Sequence, residues 1–230
     1  MTRKLYLEDM YARSAKATVT RIEGTTVVLD RTLFFAEGGG QVGDTGTIDD
    51  IRVIDTKKRI GLRSKVLAHP DFPAITVNTD NLHILESECV DWRAGDRVSM
   101  RIDWERRYAI MRIHSATHVA LLCTNRIIGE LPIKGCLLQP DKGRIDFGGK
   151  IGPAQTEEIT EACNRFIAKS LPIGNIPLEG EREALYWRCG DISIPCGGTH
   201  VGNTKEIGPI RLRRRSQGKN LDRLYIELAG

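Results

Sequence analysis

Two short runs in this 230-residue sequence carry metal-binding residue types at spacings that a fold can use. The first holds His114 and His118, with Ser115, Ala116 and Thr117 between them. Side chains four apart on a helix stand on one face, about one turn from each other. The second holds Cys196 and His200, separated by Gly197, Gly198 and Thr199, and from such a tight loop both side chains can point inward. Imidazole nitrogens with a thiolate suit zinc, which takes four N/S ligands in a tetrahedron. The expectation is one zinc per chain, held by His114, His118, Cys196 and His200. The two runs stand 78 positions apart (196 − 118) and no Cys-x2-Cys pair occurs, so this is not a compact finger or ribbon. A site assembled from distant elements can sit in a cleft, where one coordination position opens to water or substrate.

The elements that must position these residues fall into two kinds. Short runs rich in Val, Ile and Thr read as strands: Ala17 to Ile22, Thr25 to Leu29, Thr32 to Phe35, Ile51 to Asp55, Ser64 to Ala68, Leu82 to Glu86 and Arg97 to Ile102. Glu23 and Gly24 mark a hairpin, and His69, Pro70 and Pro73 an exposed connection. Many short strands at this spacing suggest a small barrel. Asp103 then reads as a helix N-cap, and the segment from Trp104 to Ile128 is apolar on most sides, as in a largely buried helix that Gly129 and Pro132 stop. Its two histidines therefore sit in a dry setting, where a neutral imidazole needs a partner.

A hairpin around Pro140 to Gly143 follows. Thr156 is expected to cap a second helix, Glu179 to Trp187 to form a short third one, and a final hairpin turns at Gly218 to Asn220. The fold class expected is α+β: an N-terminal small β-barrel over residues 1–102, then an α+β zinc-binding domain over residues 103–230.

Two further stretches invite a functional reading. Between Ala36 and Gly46, five of eleven residues are glycine, which costs folding entropy and lets a backbone approach a ligand closely. Gly39, Gly40 and Gln41 are the candidate contacts. The phosphate-loop pattern Gly-x4-Gly-Lys-Ser/Thr is absent, and a set of tight turns at a barrel corner is the structural alternative. In the last hairpin Arg211, Arg213 and Arg215 alternate with Ile210 and Leu212, a spacing that can track phosphates or simply form a solvated face.

Composition excludes more than it assigns. Hydrophobic residues make up 40% and charged residues 28%, with a net charge of +4, which permits a nucleic-acid partner without requiring one. The first ten residues lack the apolar core of a signal peptide, and no run approaches the roughly 20 apolar residues that span a bilayer. Six cysteines without a dense framework point to free thiols and a reducing, cytoplasmic compartment. No membrane association and no protein partner are expected.

The runs His114-Ser-Ala-Thr-His118 and Cys196-Gly-Gly-Thr-His-Val201 resemble the paired motifs of the alanyl-tRNA editing domain. That domain occurs inside alanyl-tRNA synthetase and as free-standing proteins of the AlaX type. The resemblance extends to Phe34 through Gly46, to Asp103-Trp-Glu-Arg-Arg107, to Met111-Arg-Ile-His114 and to Glu206-Ile-Gly-Pro-Ile210, and so covers nearly the whole chain. It implies a zinc-dependent editing domain that hydrolyses the ester of mischarged tRNA(Ala), chiefly seryl-tRNA(Ala) and as a second candidate glycyl-tRNA(Ala). It also implies a zinc-bound water as the catalytic group, with no side-chain base assigned, and Thr117 as the residue that senses the substrate. A helix threonine can equally bond back to its own backbone. The alternative function is a zinc-stabilised RNA-binding module without catalysis. Metallopeptidase patterns need Glu beside the first histidine, where Ser115 stands.

Overall fold

The computed structural model describes residues 1–88 and 91–229, with nothing described of the side chains at 73 and 74. Strands β1 (Arg3–Lys4), β2 (Ser14–Glu23), β3 (Thr26–Leu29), β4 (Arg31–Thr32), β5 (Gly46–Ile48), β6 (Ile51–Arg59), β7 (Lys65–His69), β8 (Phe72–Val77), β9 (Asp80–Leu85) and β10 (Arg97–Ile102) precede the long helix α1 (Trp104–Ile128). After it come β11 (Ile133–Leu138), β12 (Gly143–Phe147), α2 (Pro153–Ala168), β13 (Ile173–Leu178), β14 (Glu181–Cys189), β15 (Ile192–Pro195), β16 (Ile210–Ser216) and β17 (Asp222–Leu228).

Six strands pair in the order β10-β2-β3-β9-β6-β5, and β10 closes the ring by pairing with both β2 and β5. The period of two is plainest in β10, where Val98, Met100 and Ile102 are buried and Arg97, Ser99 and Arg101 exposed. Val19, Val27, Leu29, Phe34, Ile48, Val53 and Leu85 fill the interior with them. His83 belongs to this half. It donates from Nδ1 to Val27 O (3.0 Å) and lies 2.7 Å from Thr32 Oγ1, and burial pulls its pKa down to about 4. It is a neutral core residue.

The second core lies between α1, α2 and the antiparallel sheet β11-β12-β17-β16, with the smaller sheet β13-β14-β15 alongside. Met111, Ala116, Val119 and Ala120 of α1 meet Ile159, Cys163 and Phe166 of α2 and Phe147, Leu224 and Ile226 of the sheet. Met10, from the N-terminal segment, is buried here too. Among the described residues no helix is long and apolar enough to cross a membrane. The five described cysteines are free, and Cys89 lies outside the described residues.

The two cores are fastened by Arg107, which is fully buried at the end of the first turn of α1. Its guanidinium binds both oxygens of Asp44 in the glycine-rich loop and donates to Leu33 O (2.7 Å) and Met10 O (3.2 Å). A buried ion pair this fully satisfied fixes relative position more than it adds stability, and losing one partner would cost about 3–5 kcal/mol.

Several local expectations are corrected. Glu179 to Trp187 is not a helix. Residues from Glu181 onward form the central strand β14, with Trp187 opposite Asn175 on β13 and Ile194 on β15. The helix-favouring Glu-Arg-Glu-Ala run is overridden by cross-strand partners on both sides. The stretch expected as an exposed connection near Pro70 and Pro73 is the turn and second strand of the hairpin β7–β8. Thr156 does not cap α2. The helix begins at Pro153 after Gly152, whose N–H donates to Gln155 Oε1 (2.7 Å), and Thr156 bonds back to Gly152 O (3.0 Å). Asp103 stands at the N-cap of α1, but its carboxylate binds Thr45 Oγ1 and Arg52 (2.7 and 3.0 Å), not the helix amides. Of Thr32 to Phe35, only Thr32 is in a strand, with the rest as buried loop.

Candidate metal centre and the pocket beside it

Helix α1 places His114 and His118 one turn apart, their rings stacked at 5.0 Å between centroids. The chain leaving β15 brings in Cys196, whose N–H donates to Leu185 O (2.8 Å), and then His200. The intervening loop needs glycine at 198: a Cβ there would overlap the His114 ring and crowd Gln41 Oε1. All four donor atoms lie within 4.8 Å of one another. His118 Nε2 is 3.2 Å from His200 Nε2, and Cys196 Sγ is 3.3 Å from His114 Nε2 and 3.5 Å from His200 Nε2. Tetrahedral zinc at ordinary bond lengths requires donor separations of about 3.3–3.6 Å.

Outer partners fix which nitrogen faces the cluster. His114 donates from Nδ1 to Gln41 Oε1 (2.9 Å), and His200 from Nδ1 to Asn175 Oδ1 (3.0 Å). In the neutral ring each Nε2 therefore presents a lone pair inward. Burial lowers the pKa of all three histidines, His118 to about 4, with neighbouring imidazoles lowering His114 and His200 further. Desolvation pushes the Cys196 thiol up to about 12. Lone pairs converging in a dry site repel one another, and a cation converts that repulsion into coordination while releasing the thiol proton. The residues fit a zinc ion.

Gln41 is wholly buried, and its amide is used at both ends. Oε1 accepts from His114 and from Thr199 N–H (3.0 Å), while Nε2 donates to Thr199 Oγ1 (2.9 Å). The glycine-rich loop docks on β11 through Leu138 N–H to Gly40 O (2.8 Å) and Val42 N–H to Leu138 O (3.2 Å). Gly40 packs so closely that a Cβ would meet the Cys136 carbonyl.

A pocket of about 330 Å³ opens beside the cluster, with His114, His118 and Cys196 in its wall. Much of the rest is apolar, including Tyr6, Phe35, Phe72, Leu121 and Ile133, and Gly38, Gly39 and Thr117 line it as well. Thr117 is buried and donates from Oγ1 to Ile113 O (2.8 Å), so the backbone bond expected of a helix threonine is present together with the pocket position. Among the described residues the only carboxylate in the wall, Glu183, is bound by Lys4 and by Asn78 N–H (2.9 Å). Gly40 and Gln41 stand behind the wall, not in it.

Arg211, Arg213 and Arg215 lie exposed on β16 and none lines the pocket. Arg213 is 3.5 Å from Glu227. The sequence reading missed Asn175, which no local pattern marks. It also missed Trp187, whose ring lies 5.0 Å from His118, and the role of Arg107. Arg107 lies in the family-like run from Asp103, but nothing in that run points to its distant partner Asp44.

Two family patterns match. One, described as tRNA synthetases class II (A), covers residues 6–106, and the other, described as threonyl and alanyl tRNA synthetase second additional domain, covers residues 187–225. The alanyl-tRNA editing protein AlaX-M of Pyrococcus horikoshii is 34% identical over 99% of this chain and 98% of its own length. Alanine–tRNA ligases of Saccharolobus islandicus and Sulfurisphaera tokodaii are 33% and 34% identical over 92% of this chain. The chain spans only about a quarter of those ligases.

Proposed function

The chain belongs to the family of alanyl-tRNA editing proteins, and from that premise we propose that it is a zinc-dependent aminoacyl-tRNA hydrolase. It removes serine, and as a second candidate glycine, from mischarged tRNA(Ala). The observation that carries the reading is the cluster of His114, His118, Cys196 and His200, three of whose members (His114, His118 and Cys196) stand in the wall of a pocket that is otherwise largely apolar. Bound there, zinc would supply a Lewis acid for the ester carbonyl and a water acidified towards neutrality.

The chain's own groups do the rest. Gln41 and Asn175 hold the imidazoles in the tautomer that faces the cluster. Thr117 spends its hydroxyl proton on Ile113 O, so the oxygen it presents to the pocket is an acceptor for the serine hydroxyl. Alanine, having no hydroxyl, would leave that acceptor unpaired. A synthetase pocket discriminates only about 10²-fold against an analogue that adds a hydroxyl, which is why a second hydrolytic site that favours the hydroxyl is useful. No side-chain base is assigned: Glu183 is committed to Lys4 and Asn78. We further propose that residues 1–102 and 103–230 act as two domains, and that Arg211, Arg213 and Arg215 meet the tRNA backbone away from the ester.

Purified protein should deacylate seryl-tRNA(Ala) and spare alanyl-tRNA(Ala), and rapid release of alanine would overturn the editing assignment. The four-donor cluster favours one other reading, since four protein ligands ordinarily close a structural zinc. A protein that binds zinc and tRNA yet leaves the serine ester intact would be that RNA-binding module.

A further inference from the structure

Lys57 and Lys58 are neighbours on β6, and the pleat sends them to opposite faces. Lys57 turns outward, where Asp55 (3.4 Å) and Glu37 (3.6 Å) neutralise it. Lys58 shares the face of Thr56, which meets the glycine-rich loop: Thr56 Oγ1 donates to Asp44 O (2.9 Å), and Glu37 N–H donates to Thr56 O (2.9 Å). The Lys58 ammonium lies over that loop, 2.8 Å from where a Cβ on Gly38 would stand, in the wall of the pocket beside the metal cluster.

The charge there has no contact partner, and Glu183 acts on it only from further off. Among the described residues no carboxylate lies within 4 Å of Lys58, and it makes no hydrogen bond. The other lysine of the wall, Lys4, is bonded to Glu183 and to Thr79 Oγ1 (3.1 Å). Two lysines and one carboxylate therefore leave one net positive charge. Lys58 is exposed to solvent along part of its length, and desolvation of its ammonium and the nearby Lys4 lower its pKa, against an opposing pull from Glu183. The adjoining Gly39 and Gly40 take left-handed backbone conformations (φ +61° and +85°), and among the described residues their N–H groups donate to no protein acceptor. An ammonium beside free amides on a glycine turn is a setting for an anion.

Resting on the hydrolytic reading above, we infer that Lys58 and the Gly39 amide bind the phosphodiester that precedes the terminal nucleoside of the aminoacylated strand. With the ester at the metal cluster, that phosphate is the nearest anion the substrate carries. Lys58 is a positioning residue that touches no reacting atom.

The test compares seryl-tRNA(Ala) with 3′-O-seryl-adenosine, which keeps the ester and the nucleoside but has no phosphate, using zinc-loaded protein. Lys58→Met should lower kcat/KM on the tRNA about tenfold, mainly through KM, and leave hydrolysis of seryl-adenosine unchanged. Lys58→Arg should restore most of the loss. Binding of uncharged tRNA, which needs no turnover, should lose about 0.7 from its log–log salt slope in Lys58→Met. An equal loss on both substrates, or none on tRNA, would overturn the phosphate role while the enzyme remained an editing hydrolase. A native protein inert on both esters would overturn the hydrolytic reading and this inference with it, a pattern distinct from an active enzyme indifferent to Lys58.

Discussion

The glycine-rich loop and the arginine row of β16 stand out in the sequence for the same reason, an unusual composition in a short stretch, and the structure treats them in opposite ways. Gln41 of the loop is wholly buried and its amide is held at both ends by His114 and Thr199. Arg211, Arg213 and Arg215 are exposed, and Arg213 already faces Glu227 at 3.5 Å. A buried hydrogen-bonded group acts through geometry and is little affected by salt. An exposed charge acts through a field that salt screens. Perturbing the two regions should therefore give effects of different size and different ionic-strength dependence.

The largest effect is expected at the cluster that the loop supports. Cys196→Ala should drop zinc from one per chain to a small fraction and lower deacylation by more than the roughly 10–100-fold typical of an outer-shell change. Metal analysis decides it, and full occupancy in the variant would remove Cys196 from the ligand set. Next comes Gln41→Ala, which frees the His114 ring and strands Thr199 N–H. Activity or zinc affinity should fall about 10–100-fold. The unsatisfied groups should cost about 1–3 kcal/mol, or about 2–4 °C in Tm per kcal/mol for a chain of this size. Because the loss is geometric it should persist at high salt; if 0.5 M salt erased the difference from the native protein, the contrast between the regions would collapse.

A smaller change is predicted for Thr117→Val. Zinc binding should be normal, while the ratio of serine to alanine ester hydrolysis falls about 5- to 150-fold, the equivalent of about 1–3 kcal/mol for an unpaired polar group. Matched rates on the two charged tRNAs measure it, and an unchanged ratio would place the selector elsewhere. The smallest effect belongs to the arginine row. Replacing Arg211, Arg213 and Arg215 with Gln should reduce the log–log salt slope of tRNA binding by about 0.7–0.9 for each phosphate no longer neutralised, least for Arg213, and leave kcat at saturation unchanged. A triple variant with native affinity and slope would make the row a solvated face.

Local rules made several of these features legible. His114 and His118 share a helix face because four residues are about one turn, and a run apolar on most sides belongs to a buried helix. Both statements need only neighbouring residues. The Cys196–His200 loop is legible for a related reason, since glycines between two metal-binding types leave room for both to turn inward. What failed were statements whose partners lie far along the chain. Glu181 to Cys189 carries a helix-forming start, yet β13 and β15 claim it from both sides. Asp103 has the right residue type for a cap, but Arg52 and Thr45 take its carboxylate.

The sequence by itself determined the four candidate metal-binding residues, the long buried helix, the run of short strands and the family, because residue type and short-range periodicity carry them. The tertiary structure alone decided that Gln41 reaches Thr199, 158 positions away, and that Asn175 orients His200. It also decided that Lys58 lines the pocket while Lys57 pairs with Asp55 and Glu37. Strand register and loop docking set those pairings. A shift of one residue would exchange the two lysines without changing the composition of the segment.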